Sequence, residues 1–224
     1  HLRPLLTDGE KVWLLVSATL ATTAKYLEAG TAQDYTQNTQ EGGGVFKHIQ
    51  EALGFDDGLS ARFSSPFDFP HQVAAYIPSR LPAANDSRHT ASLIASVLPL
   101  IRTHSGRSLL LFTSHKALSE AARCMQDEHD IAFMVQGALA KAKLIARFRA
   151  TEGAVLLATH SFWEGVDLGG SNLKLLVIDK LPFTSPDDPV FQAQSERIDA
   201  EGGNSFMNLS LPKAAITLKQ GFGR

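Results

Sequence analysis

A chain of 224 residues, 44% hydrophobic and 20% charged, is long enough to bury a large core and too apolar for a disordered polymer. Its formal net charge of −2 excludes a general basic field, so any contact with nucleic acid has to come from local groups. The lone cysteine, Cys124, excludes an internal disulfide and a cysteine-rich metal site, and the apolar runs fall far short of the ~20 residues that span a bilayer, so a cytoplasmic protein with no membrane partner is expected.

The chain starts at His1 without a signal-peptide pattern. Val12 to Val16 is an apolar run that predicts a buried strand, and it ends on the small polar cluster Ser17-Ala18-Thr19. Thr22 or Thr23 is placed to cap a short helix through Glu28, ended by Gly30. The polar stretch TAQDYTQNTQEGGG, 31–44, reads as a mobile loop because it offers little to bury and closes on three glycines. Val45, Ile49 and Leu53 then share one helical face that stops at Gly54. FSSPFDFP interrupts the chain with two prolines, HQVAAYIP (71–78) reads as a short strand, and SRLPAANDS as a loop.

From Ser87 onward helices and strands alternate. Ala91, Ile94, Val97, Leu98 and Ile101 form a helical stripe, and Gly106 leads into SLLLFTS, too short and apolar for anything but a buried strand. Leu118, Ala121, Ala122 and Met125 mark the next helix, followed by strand IAFMV. Leu144, Ile145 and Phe148 mark a third, followed by strands AVLLAT and LKLLVID. Wholly apolar strands separated by helices imply an α/β fold with a parallel sheet covered on both faces. After Pro182 the pattern is helical: Asp187-Asp188 caps DPVFQAQSERIDAEGG, and Ser210 caps SLPKAAITLKQGFGR with Pro212 in its first turn.

Ligands of open parallel sheets bind at the carboxyl ends of strands, which singles out four places. These are Ser17-Ala18-Thr19, Thr113-Ser114-His115, THSFWEGVDLGG (Thr159 to Gly170) and DKLPF (Asp179 to Phe183). The third is the richest, since its glycines let a ligand approach the backbone and Asp167 can accept from a ribose hydroxyl or pair with an arginine. An ordinary loop with Trp163 packed beneath it is the plainer alternative. Gln220 and Arg224 lie four apart, so a helix continuing to the end projects both from one face, where a guanidinium beside an amide suits phosphate; a solvated helix end is the alternative.

Five stretches carry a family resemblance: VSATL, LLLFTSH, ATHSFWEGVDLGG, VIDKLPFTSPDDP and LKQGFGR. In this order and spacing they resemble motifs III, IV, V and VI of superfamily 2 DNA helicases, above all the DinG/YoaA branch of the XPD-like group. The resemblance spans nearly the whole chain. It implies an ATP-driven 5′ to 3′ DNA helicase with two RecA-like, P-loop NTPase-type motor domains. Residues 1–20 would carry motif III on the last strand of the first domain, and 21–224 would be the second. It further implies that Glu164, Gly165, Asp167, Gln220 and Arg224 face ATP, with Arg224 catalytic. Ser17 and Thr19 would couple nucleotide state to DNA grip, and Thr113, Ser114, Ser161 and Trp163 would lie near the single strand. Implied partners are single-stranded or forked DNA, the first motor domain of the same chain, and repair or replication proteins. Implied cofactors are Mg²⁺ with ATP, and a 4Fe-4S cluster held elsewhere in the full-length protein.

The departures from that pattern are specific. No G-x-x-x-x-G-K-[ST] and no D-E-x-H occur, and the family's four-cysteine domain is missing. The chain stops on the first arginine of motif VI, whereas the family continues to a second, the better candidate for a transition-state arginine. The expectation is a piece of a longer protein that by itself hydrolyses no ATP. Two rivals stand beside it. One is a RecA-like module retained for docking without turnover; the other is an unrelated α/β nucleotide-binding enzyme with motif-like words.

Overall fold

The computed structural model describes residues 14–16, 34–36, 46, 49–50, 53, 60–62, 68–104, 107–162 and 173–222. The chain divides into two compact units, one of His1–Ala75 with Phe183–Ile216 and one of Tyr76–Pro182 with Thr217–Arg224.

The second unit is built on a parallel sheet. Strands β3 (Arg107–Leu111), β4 (Phe133–Val135), β5 (Val155–Ala158) and β6 (Leu173–Ile178) stand in the order β4-β5-β3-β6. Leu109, Leu110, Leu111 and Phe112 are all fully buried, and so are Val155 to Ala158, because both faces of the sheet are covered. Alternation of side chains along a strand divides them. Leu110, Phe112, Val155 and Leu157 face Leu93, Ile94 and Val97 of helix α2 (His89–Thr103) and Leu118 and Ala121 of helix α3 (His115–Cys124). On the opposite face Leu109, Leu111, Leu156 and Ala158 meet Leu144 and Phe148 of helix α4 (Lys141–Ala150), with Leu218 packed against them. This is the expected α/β architecture of a parallel sheet with helices on both faces.

Polar groups fasten the helix ends. Arg107, at the start of β3, donates from Nε to the Phe148 and Thr151 carbonyls at 2.9 and 3.2 Å, and from Nη2 to the Arg149 carbonyl. It thereby takes up carbonyls that the last turn of α4 leaves without partners. Arg102 at the end of α2 pairs with Asp130 at 2.9 Å and with Glu128.

The first unit contains the antiparallel pair β1 (Asp34–Thr36) and β2 (Ser60–Arg62), the short helix α1 (Phe69–Gln72) and helix α5 (Pro189–Ala200). Asp188 caps α5 as expected, its Oδ1 accepting from the Phe191 N–H at 2.8 Å. The helix ends where Gly203 donates to the Ile198 carbonyl at 2.9 Å. A side chain at Gly203 would start 2.8 Å from Ile198 Cγ2, so only glycine closes this turn without displacement.

Four expectations are corrected. Leu14 to Val16 forms no strand and is exposed, because no neighbouring strand among the described residues satisfies its backbone. The stretch 31–44 is not all loop, since Asp34–Thr36 finds a partner in Ser60–Arg62. HQVAAYIP is not a strand: Pro70 opens α1, and Val73 to Pro78 has no regular structure, with Tyr76 and Ile77 exposed. Ser210 does not cap a helix. It ends a π-helical stretch, Phe206–Ser210, that continues into helix α6 (Leu211–Phe222), and its hydroxyl donates back to the Ser205 carbonyl at 3.4 Å. No described helix is long and apolar enough to cross a membrane.

Candidate functional site at the carboxyl edge of the sheet

The register pairs Leu111 of β3 with Ala158 of β5 on one side and Ile178 of β6 on the other. Parallel strands in register finish at the same edge, so the residues that follow them are neighbours. Phe112 extends the β3–β5 ladder, its N–H donating to the Ala158 carbonyl at 2.8 Å, and Asp179 extends the β3–β6 ladder to the Leu111 carbonyl at 3.0 Å. Beyond those bonds the strands turn away and their polar side chains come into play.

After β3 the Thr113 N–H donates to Asp179 Oδ1 at 2.9 Å, which fixes the first residue of the turn. Ser114 is extended, and its Oγ accepts from the Ala117 N–H at 3.1 Å as the cap of α3. A capping hydroxyl acts as acceptor and keeps its own proton, so exposed Ser114 can still donate to an anion.

After β5 the Thr159 N–H and hydroxyl both bond Gln136 Oε1, at 2.7 and 3.2 Å. Gln136 follows β4, and Gly137 beside it has φ +96, a left-handed conformation that favours glycine. A 3₁₀ turn, His160–Phe162, places Ser161 outward and buries Phe162 beneath it. Lys141, the first residue of α4, donates from Nζ to the Ser161 carbonyl at 2.5 Å and lies 5.0 Å from the centre of the Phe162 ring.

After β6 Asp179 is only 7% exposed, and its Oδ2 has no hydrogen-bond partner among the described residues. Burial pushes its carboxyl above the ordinary value of 3.8, against the Thr113 N–H and the nearby charges of Lys180 and His89. Buried His89 holds this corner from behind, with Nδ1 2.8 Å from the Pro82 carbonyl and Nε2 3.3 Å from the Asp179 carbonyl.

The raised carboxyl has a signed consequence. The folded state holds the Asp179 proton more tightly than the unfolded chain does. Its contribution to stability is therefore complete below about pH 3.8 and is lost as pH rises through the folded value. Asp179→Asn keeps an acceptor for Thr113 and removes the titration. Measured by urea midpoints, its stability relative to the unaltered protein is expected to increase from pH 4 upward and then level off. A difference independent of pH would show that the carboxyl is not held above its ordinary value.

Thr113, Ser114 and Ser161 are thus brought to one edge. Gln220 lies in α6 with its Oε1 buried and without a hydrogen-bond partner among the described residues. Ser17, Thr19, Trp163, Glu164, Gly165, Asp167 and Arg224 lie outside the described residues. Sequence reasoning missed Lys141 and Gln136. Their partners are 20 and 23 residues away, and only the fold joins them.

The chain is similar to known helicases and related proteins. It is 39% identical over 190 residues to the ATP-dependent DNA helicase YoaA of Haemophilus influenzae, covering 85% of this chain and 30% of that protein. To the ATP-dependent DNA helicase YoaA of Escherichia coli it is 40% identical over 177 residues, 79% of this chain and 28% of that protein. To the 3'-5' exonuclease DinG of Bacillus subtilis it is 31% identical over 243 residues, 97% of this chain and 26% of that protein. The chain therefore spans under a third of the length of these relatives. Residues 97–224 match the family described as helicase C-terminal domain, and the chain belongs to that family, in the form found in DinG/YoaA helicases.

Proposed function

We propose that this chain is the second RecA-like motor domain of an ATP-dependent 5′ to 3′ DNA helicase, with residues 1–20 belonging to the end of the first motor domain. The observation that carries the reading is the pair of hydroxyl-bearing turns, Thr113-Ser114 and Thr159 to Ser161, that follow adjacent strands β3 and β5 at one edge. Hydroxyls and main-chain N–H groups in such turns hold phosphates without a high net charge, as the −2 of this chain requires.

In this reading Thr113, Ser114, Ser161 and Trp163 form part of the track for single-stranded or forked DNA. Asp179 fixes the Thr113 backbone, and Gln136 fixes Thr159. Glu164, Gly165, Asp167, Gln220 and Arg224 supply this domain's half of the cleft for ATP with Mg²⁺, while Ser17 and Thr19 couple the two functions. Closure on ATP and reopening after hydrolysis would advance the track along DNA. One cysteine cannot provide the four thiolates of a 4Fe-4S cluster, so this chain does not hold one by itself. The cytoplasm is the proposed compartment, and repair or replication proteins the proposed further partners.

The test uses the full-length protein and two partial duplexes, one with a 5′ single-stranded tail and one with a 3′ tail. ATP-dependent unwinding is expected from the 5′ tail only, and the isolated chain is expected to turn over no ATP. Unwinding from the 3′ tail alone, or DNA-stimulated turnover by the isolated chain, would contradict the proposal.

A further inference from the structure

The geometry points to Lys141 as a phosphate-binding residue of the single-stranded DNA track, held in place by the Ser161 carbonyl and the Phe162 ring. The inference rests on the function proposed above and deepens it. Helix α4 carries Lys141, Lys143, Arg147 and Arg149 and no acidic residue, a local concentration of positive charge in a chain of net charge −2. Among the described residues no ion pair includes Lys141, Lys143 or Arg147. Lys143 and Arg147, four apart, project from a face other than the one through which Leu144 and Phe148 pack on the sheet. Lys141 differs from them, because it begins the helix at the carboxyl edge and turns toward the β5 turn.

Its two contacts orient the ammonium without exhausting it. An ammonium has three N–H donors. One donates to the Ser161 carbonyl at 2.5 Å, and the side chain remains exposed with the Phe162 ring 5.0 Å away. The carbonyl matters in its own right. An uncovered Ser161 carbonyl oxygen would repel a phosphate, and the ammonium that covers it adds its remaining N–H groups to the Ser161 hydroxyl as donors at this turn. Two donors from different elements, Lys141 at the start of α4 and Ser161 after β5, thus lie at the same edge as Thr113 and Ser114, which follow the neighbouring strand β3.

The experiment measures binding of a fluorescein-labelled oligothymidylate to the full-length protein across a salt series, for the unaltered protein, Lys141→Met and Lys141→Arg. Each phosphate contact on a single strand contributes about 0.7 to the slope of log affinity against log salt. Lys141→Met is expected to lower that slope by about 0.7, so that between about 50 and 200 mM salt it loses ~2.6-fold less affinity than the unaltered protein. Lys141→Arg is expected to keep the slope. A purely structural role would lower affinity or melting temperature without altering the slope, and an unchanged slope in a folded, DNA-binding Lys141→Met protein overturns the assignment. Failure of the unaltered protein to bind the oligonucleotide overturns the proposed track, and Lys141 with it.

Discussion

Arg224→Ala in the full-length protein is expected to reduce DNA-stimulated ATP turnover by about 10- to 100-fold, the cost of losing one charge-assisted contact to phosphate, about 1.5–3 kcal/mol, rather than the larger cost of losing a transition-state arginine. A guanidinium offers a planar fork of donors to phosphate oxygens, which a lysine does not reproduce, so Arg224→Lys is expected to recover only a minor part. Asp167→Ala tests the same cleft from its other motif, and a comparable loss is expected if Asp167 orients that arginine or the nucleotide. The readout is steady-state phosphate release at saturating ATP and DNA. Unchanged turnover in both variants would remove the proposed cleft residues, while the proposed DNA contacts at the sheet edge would remain to be tested separately by the binding series.

The second large effect concerns stability. Phe148 is 1% exposed and fills the space between α4 and the face of the sheet made by Leu109, Leu111, Leu156 and Ala158. Phe148→Ala removes a buried ring and leaves a cavity, for which a loss of about 3–5 kcal/mol is expected. That is a large part of the ~5–15 kcal/mol that holds an ordinary domain together. Its carbonyl still accepts from Arg107, so the loss belongs to packing rather than to the polar clamp. Urea denaturation checks this. A midpoint change equivalent to under 1 kcal/mol would mean that α4 does not pack as described.

The sheet could be read from the sequence because its strands are buried on both sides. SLLLF and AVLLA are apolar at every position, and such runs between helical stripes admit few other interpretations. β1 escaped for the opposite reason. Asp34–Thr36 is three residues long and its partner, Ser60–Arg62, is distant in sequence, so nothing local announces the pair. Leu14 to Val16 and HQVAAYIP misled because apolar or β-branched composition states only what a segment could do beside a neighbouring strand. Ser210 misled because a hydroxyl one residue from Leu211-Pro212 imitates a cap, whereas the helix had already begun in the π-helical stretch.

The site was legible in part. Thr113, Ser114 and Ser161 could be singled out by the rule that chemistry follows strand ends, and they do come together at one edge. The motif words conveyed family and order. They did not convey which groups hold those turns in shape. Asp179 on Thr113, Gln136 on Thr159 and Lys141 on Ser161 are contacts between residues 66, 23 and 20 apart, made only once parallel strands are in register.

Strand β3 has β5 on one flank and β6 on the other, with helices above and below. In terms of hydrogen exchange it is expected to be the slowest of the described strands, since its amides reach solvent only when the sheet opens. The turn at Thr113 and Ser114 is attached directly to this slow region, whereas Gln136 hangs from β4, an outer strand of only three residues. A ligand seated on this edge would therefore meet one anchor that holds still over the lifetime of the fold and one that loosens far more often. Binding would be felt first as slowed exchange on the β4 side.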